Sequence, residues 1–232
     1  MKTAAIMQPT YLPWLGYFYL MDQSDYFVFL DSVQFEKRSW QQRNKIKTPK
    51  GDLLLTVPVL SKGRFEQKIN EVKIDKTAEF QKKHLKAIKQ NYSQAKFFKK
   101  YITDLEKILC RNHTYLVDLN EELISWLKDA IGIKSKLIRS SSLRPEGRKV
   151  EPLVSICKSI GAKRYLSPLG SKTYIDKNNL FPKYEIELIY NQYQHPRYRQ
   201  LYGNFIPNLS VIDLLFNEGD KSLSIIKSGG KV

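Results

Sequence analysis

An α/β fold, with a mostly parallel sheet and a helical insertion in the middle of the chain, is predicted by three observations. Residues 3–30 read as strand, loop, short helix and strand, a βαβ unit whose two strands must run parallel. Residues 77–131 carry apolar side chains at helical spacing almost throughout. After Gly132, short apolar runs alternate once more with helical ones. These observations predict a Rossmann-like α/β core from residues 1–76 and 132–232, which holds the ligand cleft, and a helical insertion or subdomain over 77–131.

Each element has its own signal. Thr3–Met7 is apolar and runs into Gln8-Pro9, as a buried strand ending in a loop does. Gly16–Met21 can start a helix, and Tyr26–Leu30 is a second buried strand that stops at Asp31. Residues 37–50 are basic and polar, and Leu53–Leu60 is apolar again. Phe80, Leu85, Ile88 and Tyr92 form one helical stripe, Tyr101, Leu105 and Ile108 a second, and Leu119, Leu123, Trp126 and Leu127 a third. His84 and His113 lie in or beside these helices and read as surface or capping residues. Lys136–Ser141 and Arg164–Ser167 are further strands, separated by a helix over Val150–Ile160 that Gly161 ends. Ile186–Tyr190 is another strand, and period alone does not separate helix from strand at Val211–Phe216. The last residues, 228–232, are expected to be loose.

Composition excludes several classes. A chain of 232 residues with 42% hydrophobic side chains folds, and disorder is excluded. The 39 Lys+Arg against 23 Asp+Glu give a net charge of +16, which attracts nucleic acid, nucleotide-linked sugars or an acidic membrane face. A lysine-rich solvated surface accounts for the same excess, since most of it is scattered along helices. Cys110 and Cys157 are the only cysteines and show no metal-ligand spacing, so neither a disulfide framework nor a metal site is predicted. Neither sits in a context that reads as a reactive thiol, so thiol nucleophilic catalysis is not expected. No secretory signal and no membrane span is legible, so a soluble, cytoplasmic protein without stable membrane insertion is expected. The sequence sets no oligomeric state.

Two segments concentrate the chemistry. In Gln8–Phe18 two prolines fix the path, and Gly16 allows close approach to a helix start that presents free N–H groups to an anion. Tyr11, Trp14 and Tyr17 could wall a base or sugar, or could belong to the core. In Asp31–Lys47, the polar groups Asp31, Gln34, Lys37, Arg38, Ser39, Arg43, Asn44 and Lys47 surround Trp40. Residues 37–51 hold six basic residues and no acidic one, a composition suited to an anionic ligand.

The runs IMQPTYLPWLGYFYLM, DYFVFLDSVQFEKRSWQQRNKIKTPKG and YRQLYGNFIPNLSVIDLLFNEG resemble the WbqC-like protein family, and the likeness extends from end to end. That resemblance implies an intracellular protein of O-antigen or other bacterial surface-glycan (lipopolysaccharide) biosynthesis. It further implies a transferase that adds an amino-acid-derived acyl group to a nucleotide-linked amino sugar. ATP, through an acyl adenylate, or an aminoacyl-tRNA would supply the donor, and the positive charge suits tRNA. Within the closing region His195 is the candidate general acid or base, although it could equally bind ligand or close a turn. Asp213 could orient His195 or pair with Arg38 or Arg43, and Ser210, Asp213 and Asn217 would share a helix face. Tyr198, Gln200 and Asn208 complete the candidate ligand set there.

A more distant likeness points to HIGH-type nucleotidyltransferases. A strand, a Pro-containing loop and Trp14-Leu15-Gly16-Tyr17 open a helix in the same layout, and Ser167–Lys172, with Ser167, Ser171 and Lys172, would be the mobile phosphate loop. Trp14 and Tyr17 stand where that superfamily has its histidines, which argues against nucleotidyl transfer but keeps a nucleotide-binding or adenylating relative open. A non-catalytic module that binds nucleotide sugar or glycan is the other alternative, since no recognised nucleophile or Walker loop is present. The three motifs are predicted to converge on one anion-binding cleft.

Overall fold

The computed structural model describes residues 1–230 except 178. Strands β1 (Thr3–Met7) and β2 (Tyr26–Phe29) flank helix α1 (Leu15–Asp22). A hairpin follows, β3 (Arg43–Thr48) paired antiparallel with β4 (Gly51–Thr56). Then come α2 (Phe80–Tyr92), α3 (Phe98–Cys110) and α4 (Leu116–Ile131). The α/β pattern resumes with β5 (Lys136–Arg139), α5 (Ser140–Leu143), α6 (Glu151–Ser159), β6 (Arg164–Pro168), α7 (Lys172–Asp176) and β7 (Glu187–Asn191). Helices α8 (Val211–Glu218) and α9 (Ser222–Ser228) complete the described chain.

Five strands form one all-parallel sheet in the order β5-β2-β1-β6-β7. The chain winds outward from β1 through β2 to β5, then returns to the other side of β1 for β6 and β7. The winding therefore reverses between β1 and β6, where the loops leaving the two strands part and open a crevice at their carboxyl ends. Side chains alternate between two cores. Ala5, Phe27, Phe29 and Leu166 join α1, α8 and α9 on one face, while Ala4, Ile6, Val28 and Tyr165 meet α6 and α7 on the other. Both faces are covered, which is why these strands read as unbroken apolar runs.

The buried stripes of α2–α4 (Leu85, Ile88, Leu105, Leu119 and Leu123 among them) join the core of α1 and β2 in one continuous cluster. Val211–Phe216 is helical: Ser210 Oγ accepts from the Ile212 N–H and caps α8. Strand β3 lies inside the basic run, where Arg43, Lys45 and Thr48 are partly exposed and Asn44, Ile46 and Lys47 are buried. Its polar sequence masked it.

Two expectations need correction. His84 is buried, with Nδ1 2.8 Å from the Tyr11 hydroxyl, and burial depresses its pKa to about 4. Residues 229 and 230 are not loose, because Gln194 N–H donates to Gly229 O (2.8 Å) and Gly230 bridges to Tyr193; residues 231 and 232 lie outside the described residues. Among the described residues no helix is long and apolar enough to cross a membrane.

Candidate functional site

The two N-terminal motifs are laced together by backbone and amide hydrogen bonds. Tyr11 N–H donates to Trp40 O (3.0 Å), and Asn44 Nδ2 donates to Tyr11 O (3.2 Å) and Leu12 O (2.7 Å). Those bonds hold buried Leu12 in the left-handed region (φ 45°), a conformation costly for a residue with a Cβ. Gln41 Nε2 donates to Gln8 Oε1 (2.9 Å), joining the end of β1 to the second motif. Asn120, on α4, ties both from behind by donating to Pro9 O (3.2 Å) and Gln41 O (2.7 Å). The closing motif docks through Ser210 N–H to Lys45 O (2.9 Å) and Val211 N–H to Pro13 O (2.8 Å). The three motifs converge.

Where they meet, a cavity of about 760 Å³ opens at the carboxyl ends of β1 and β6. Of the residues singled out in the sequence, Gln8, Trp14, Tyr17, Ser39, Trp40, Asn44, Ser171 and Asn208 reach its wall. Trp40, 51% exposed, and Tyr174, 48% exposed, stand on its more open part. The Arg43 guanidinium lies 5.9 Å from the Trp40 ring centre. Tyr17 is fully buried below and donates to Gln8 O (3.3 Å); burial, then the charge of Glu121, raises its pKa, so it stays a protonated donor.

The wall also contains Thr10, Glu36, Gln41, Leu153 and Tyr174, which the sequence reading did not place there. Glu36 and Gln41 sit inside the second motif but were passed over because its lysines and arginines drew attention. Leu153 and Tyr174 carry no local signal, since the fold alone brings α6 and α7 to the crevice. Among the described residues the wall includes no Lys, Arg or His, and Glu36 is its one carboxylate. Its chemistry is aliphatic and aromatic, with a few amides and hydroxyls and the Glu36 carboxylate.

Other candidates have structural partners away from the wall. Gly16 does not wait for a ligand: a Cβ there would collide with the Trp14 indole, which occupies the space over the helix start. Tyr11 is the buried partner of His84. Asp31 is buried and accepts from Ser140 Oγ (2.9 Å), Ser141 N (2.8 Å) and Ser141 Oγ (2.7 Å), joining the ends of β2 and β5. Gln34 donates to Phe65 O (2.9 Å), and Ser167 lies 2.6 Å from Ser171 Oγ to Oγ. Lys172 Nζ sits 5.7 Å from the Tyr190 ring centre. Lys37 and Arg38 are exposed and do not line the cavity, and Arg38 has a positive φ of 62°.

The two candidate catalytic residues do not meet. His195 packs on Trp14 (ring centres 6.4 Å apart, 14° between planes) and near Tyr198 and Phe205. Its Nδ1–H donates to Pro196 O (2.9 Å), its buried Nε2 has no partner among the described residues, and burial lowers its pKa. Asp213 is fully buried and pairs with neither Arg38 nor Arg43. Its oxygens accept from Tyr92 OH and Tyr198 OH, each at 2.8 Å. Burial raises the Asp213 pKa, against the pull of Tyr198, Tyr92, Lys47 and Gln200. Lys47, only 1% exposed, donates through Nζ to Gln200 Oε1 (3.0 Å) and Asn204 O (2.6 Å), and desolvation lowers its pKa. Gln200 also bonds Tyr198 OH (3.2 Å) and Ile206 O (2.9 Å), and Asn217 Nδ2 donates to Asp213 O (2.7 Å). This polar clasp fastens residues 198–206 to β3 and α8.

No solved structure matches the chain. An uncharacterized protein of Mycobacterium tuberculosis, Rv1507c, is 39% identical over 221 residues, covering 94% of this chain and 95% of that protein. The model of the WbqC-like protein family matches residues 8–225, a span that includes the clasp, the second and third motifs, and the first motif and crevice wall except Ile6 and Met7. The chain belongs to the WbqC-like protein family.

Proposed function

We propose that this protein is a cytoplasmic transferase of bacterial surface-polysaccharide (O-antigen) assembly. It binds a nucleotide-linked amino sugar in the crevice. The sugar's amine attacks the acyl carbon of an aminoacyl-tRNA or of an acyl adenylate made from ATP, forming an amide as the acyl–oxygen bond breaks and tRNA or AMP leaves. One observation carries the reading: a cavity of about 760 Å³ at the reversal point of a parallel sheet, lined by aliphatic side chains such as Ile6, Leu30, Leu153 and Ile175, with a few amides and hydroxyls, one carboxylate and two half-exposed aromatic rings. Gln8 Nε2 and the Asn208 amide, which make no hydrogen bond to the described residues, offer the donors and acceptors that sugar hydroxyls and base edges require, while Asn44 and Gln41 hold the wall in place. Trp40 and Tyr174 offer faces for a sugar or base. The carboxamide N–H groups are of the type that stabilises the oxyanion formed when an amine attacks an acyl carbon. The cations of this +16 chain lie outside the wall, where the phosphates of a donor can meet them.

The test is mass spectrometry after incubating the protein with nucleotide amino sugars, ATP, amino acids and charged tRNA. A sugar nucleotide heavier by one acyl group is expected. Tight binding without any such product, across all donors, would replace this reading with a non-catalytic nucleotide-sugar or glycan binding module. That second reading is favoured by one observation: neither His195 nor Asp213 lines the cavity. A divergent HIGH-type enzyme is supported by the meeting of the loops after β1 and β6, through Trp14, Tyr17 and Ser171. It would be recognised by ATP-dependent pyrophosphate release.

A further inference from the structure

We propose that Glu36 is the residue by which the crevice selects a ligand bearing a free primary amine, its carboxylate receiving the ammonium; this rests on the crevice being the sugar-nucleotide site. In a chain of net charge +16, the wall of this cavity has, among the described residues, no cation and a single carboxylate. That carboxylate makes no hydrogen bond or ion pair within the described residues, whereas Asp31 and Asp213 are saturated by protein donors. Its backbone is held, while its side chain is exposed. Glu36 N–H donates to Gln41 Oε1 (3.2 Å), and Glu36 O accepts from Ser39 Oγ (2.7 Å). Gln41 is itself buried and held by Gln8 and Asn120.

The chemistry of the neighbours leaves the discrimination to Glu36. A carboxamide presents both donors and acceptors, so the amides of Gln8 and Asn208 accommodate a hydroxyl and an amine alike. An ammonium carries only donors and binds an ionised acceptor more strongly than a neutral one. An anionic group beside Glu36 would be repelled, which places the ligand's diphosphate away from this part of the wall.

Calorimetric titration of the full chain with a uridine-diphosphate hexosamine bearing a free amine, and with its N-acetylated form, tests the assignment. The free amine should bind about fivefold more tightly, the size expected for one solvent-accessible ion pair. Glu36→Gln should make the two affinities equal, and Glu36→Asp should keep part of the preference. In the wild type, the preference should shrink as pH rises and the ligand's ammonium loses its proton, a control that needs no variant to fold. Equal binding of both ligands by the wild type, or a preference that survives Glu36→Gln, would overturn the assignment and leave the sugar-nucleotide reading standing. Binding of neither would remove both. An acylated product formed without any amine preference in binding would retain the transferase and dismiss Glu36 as its selector.

Discussion

Around Asp213 the strong polar groups are matched inside the protein, whereas along the crevice wall the Glu36 carboxylate has no partner among the described residues. The two regions draw on the same residue types and on adjoining stretches of chain, since Lys47 belongs to the clasp and Asn44 to the wall. What separates them is burial. An unmatched polar group out of water costs about 1–3 kcal/mol, so the clasp must close on itself, while the wall can leave capacity for a ligand. The positive charge that stands out in the sequence does not mark the cavity, whose wall holds the Glu36 carboxylate and, among the described residues, no cation. Asp213 and His195 do not line the cavity, whereas Glu36 and several carboxamides do.

The comparison can be broken hardest at Asp213. Asp213→Ala leaves Lys47 charged beneath the surface and strips Tyr92 and Tyr198 of their acceptor, so a loss of about 3–5 kcal/mol in urea unfolding is expected. A loss below about 1 kcal/mol would mean that the clasp is not structural.

Next is the buried His84. Its folded pKa of about 4 lies below the value of 6.5 for an unperturbed histidine, so the unfolded chain takes up the proton first as pH falls. The stability present above pH 6.5 should decline through the window from 6.5 to 4, by roughly 3 kcal/mol in full. Urea midpoints measured across that range should slope in the wild type and lie flatter by that amount in His84→Gln, which keeps a partner for Tyr11 without titrating there.

A smaller effect is expected at Gly16. Gly16→Ala pushes a Cβ into the Trp14 indole, which must shift or strain, at about 1–3 kcal/mol. Because Trp14 lines the crevice, sugar-nucleotide affinity should fall together with the melting temperature. Loss of affinity with unchanged stability would show that Gly16 faces the ligand after all.

Smallest on stability and sharpest for function is Trp40→Ala. The ring is half exposed, so unfolding should change by less than about 0.5 kcal/mol. Loss of a stacking face should weaken nucleotide binding by about 1–3 kcal/mol, read by calorimetry. If affinity is unchanged, the aromatic mouth is not part of the site.

Much of the fold was readable from local pattern. The two apolar runs that flank Leu15–Asp22 have no polar alternation because both sheet faces are covered, and this is what a parallel βαβ unit writes into sequence. The stripes ending at Tyr92, Ile108 and Leu127 are one-sided for the opposite reason: each helix keeps one face in water. Strand β3 was missed because Arg43, Lys45 and Lys47 are what a solvated charge run looks like. Only contact with Tyr92, Gln200 and Asn204 shows that Lys47 is buried.

By itself the sequence determined the α/β class, the three helical stripes, the family and the stretches from which the candidate site is made, because each depends on periodicity or on contiguous residues. Tertiary structure alone decided which members of those stretches share a cavity. It set Glu36, Gln41 and Tyr174 into the wall, turned Asp31, Lys47 and Asp213 into fasteners, and filled the space beside Gly16 with Trp14. The physical reason is that a polar side chain's role depends on whether water or protein supplies its partners, and those partners come from residues far away in the chain.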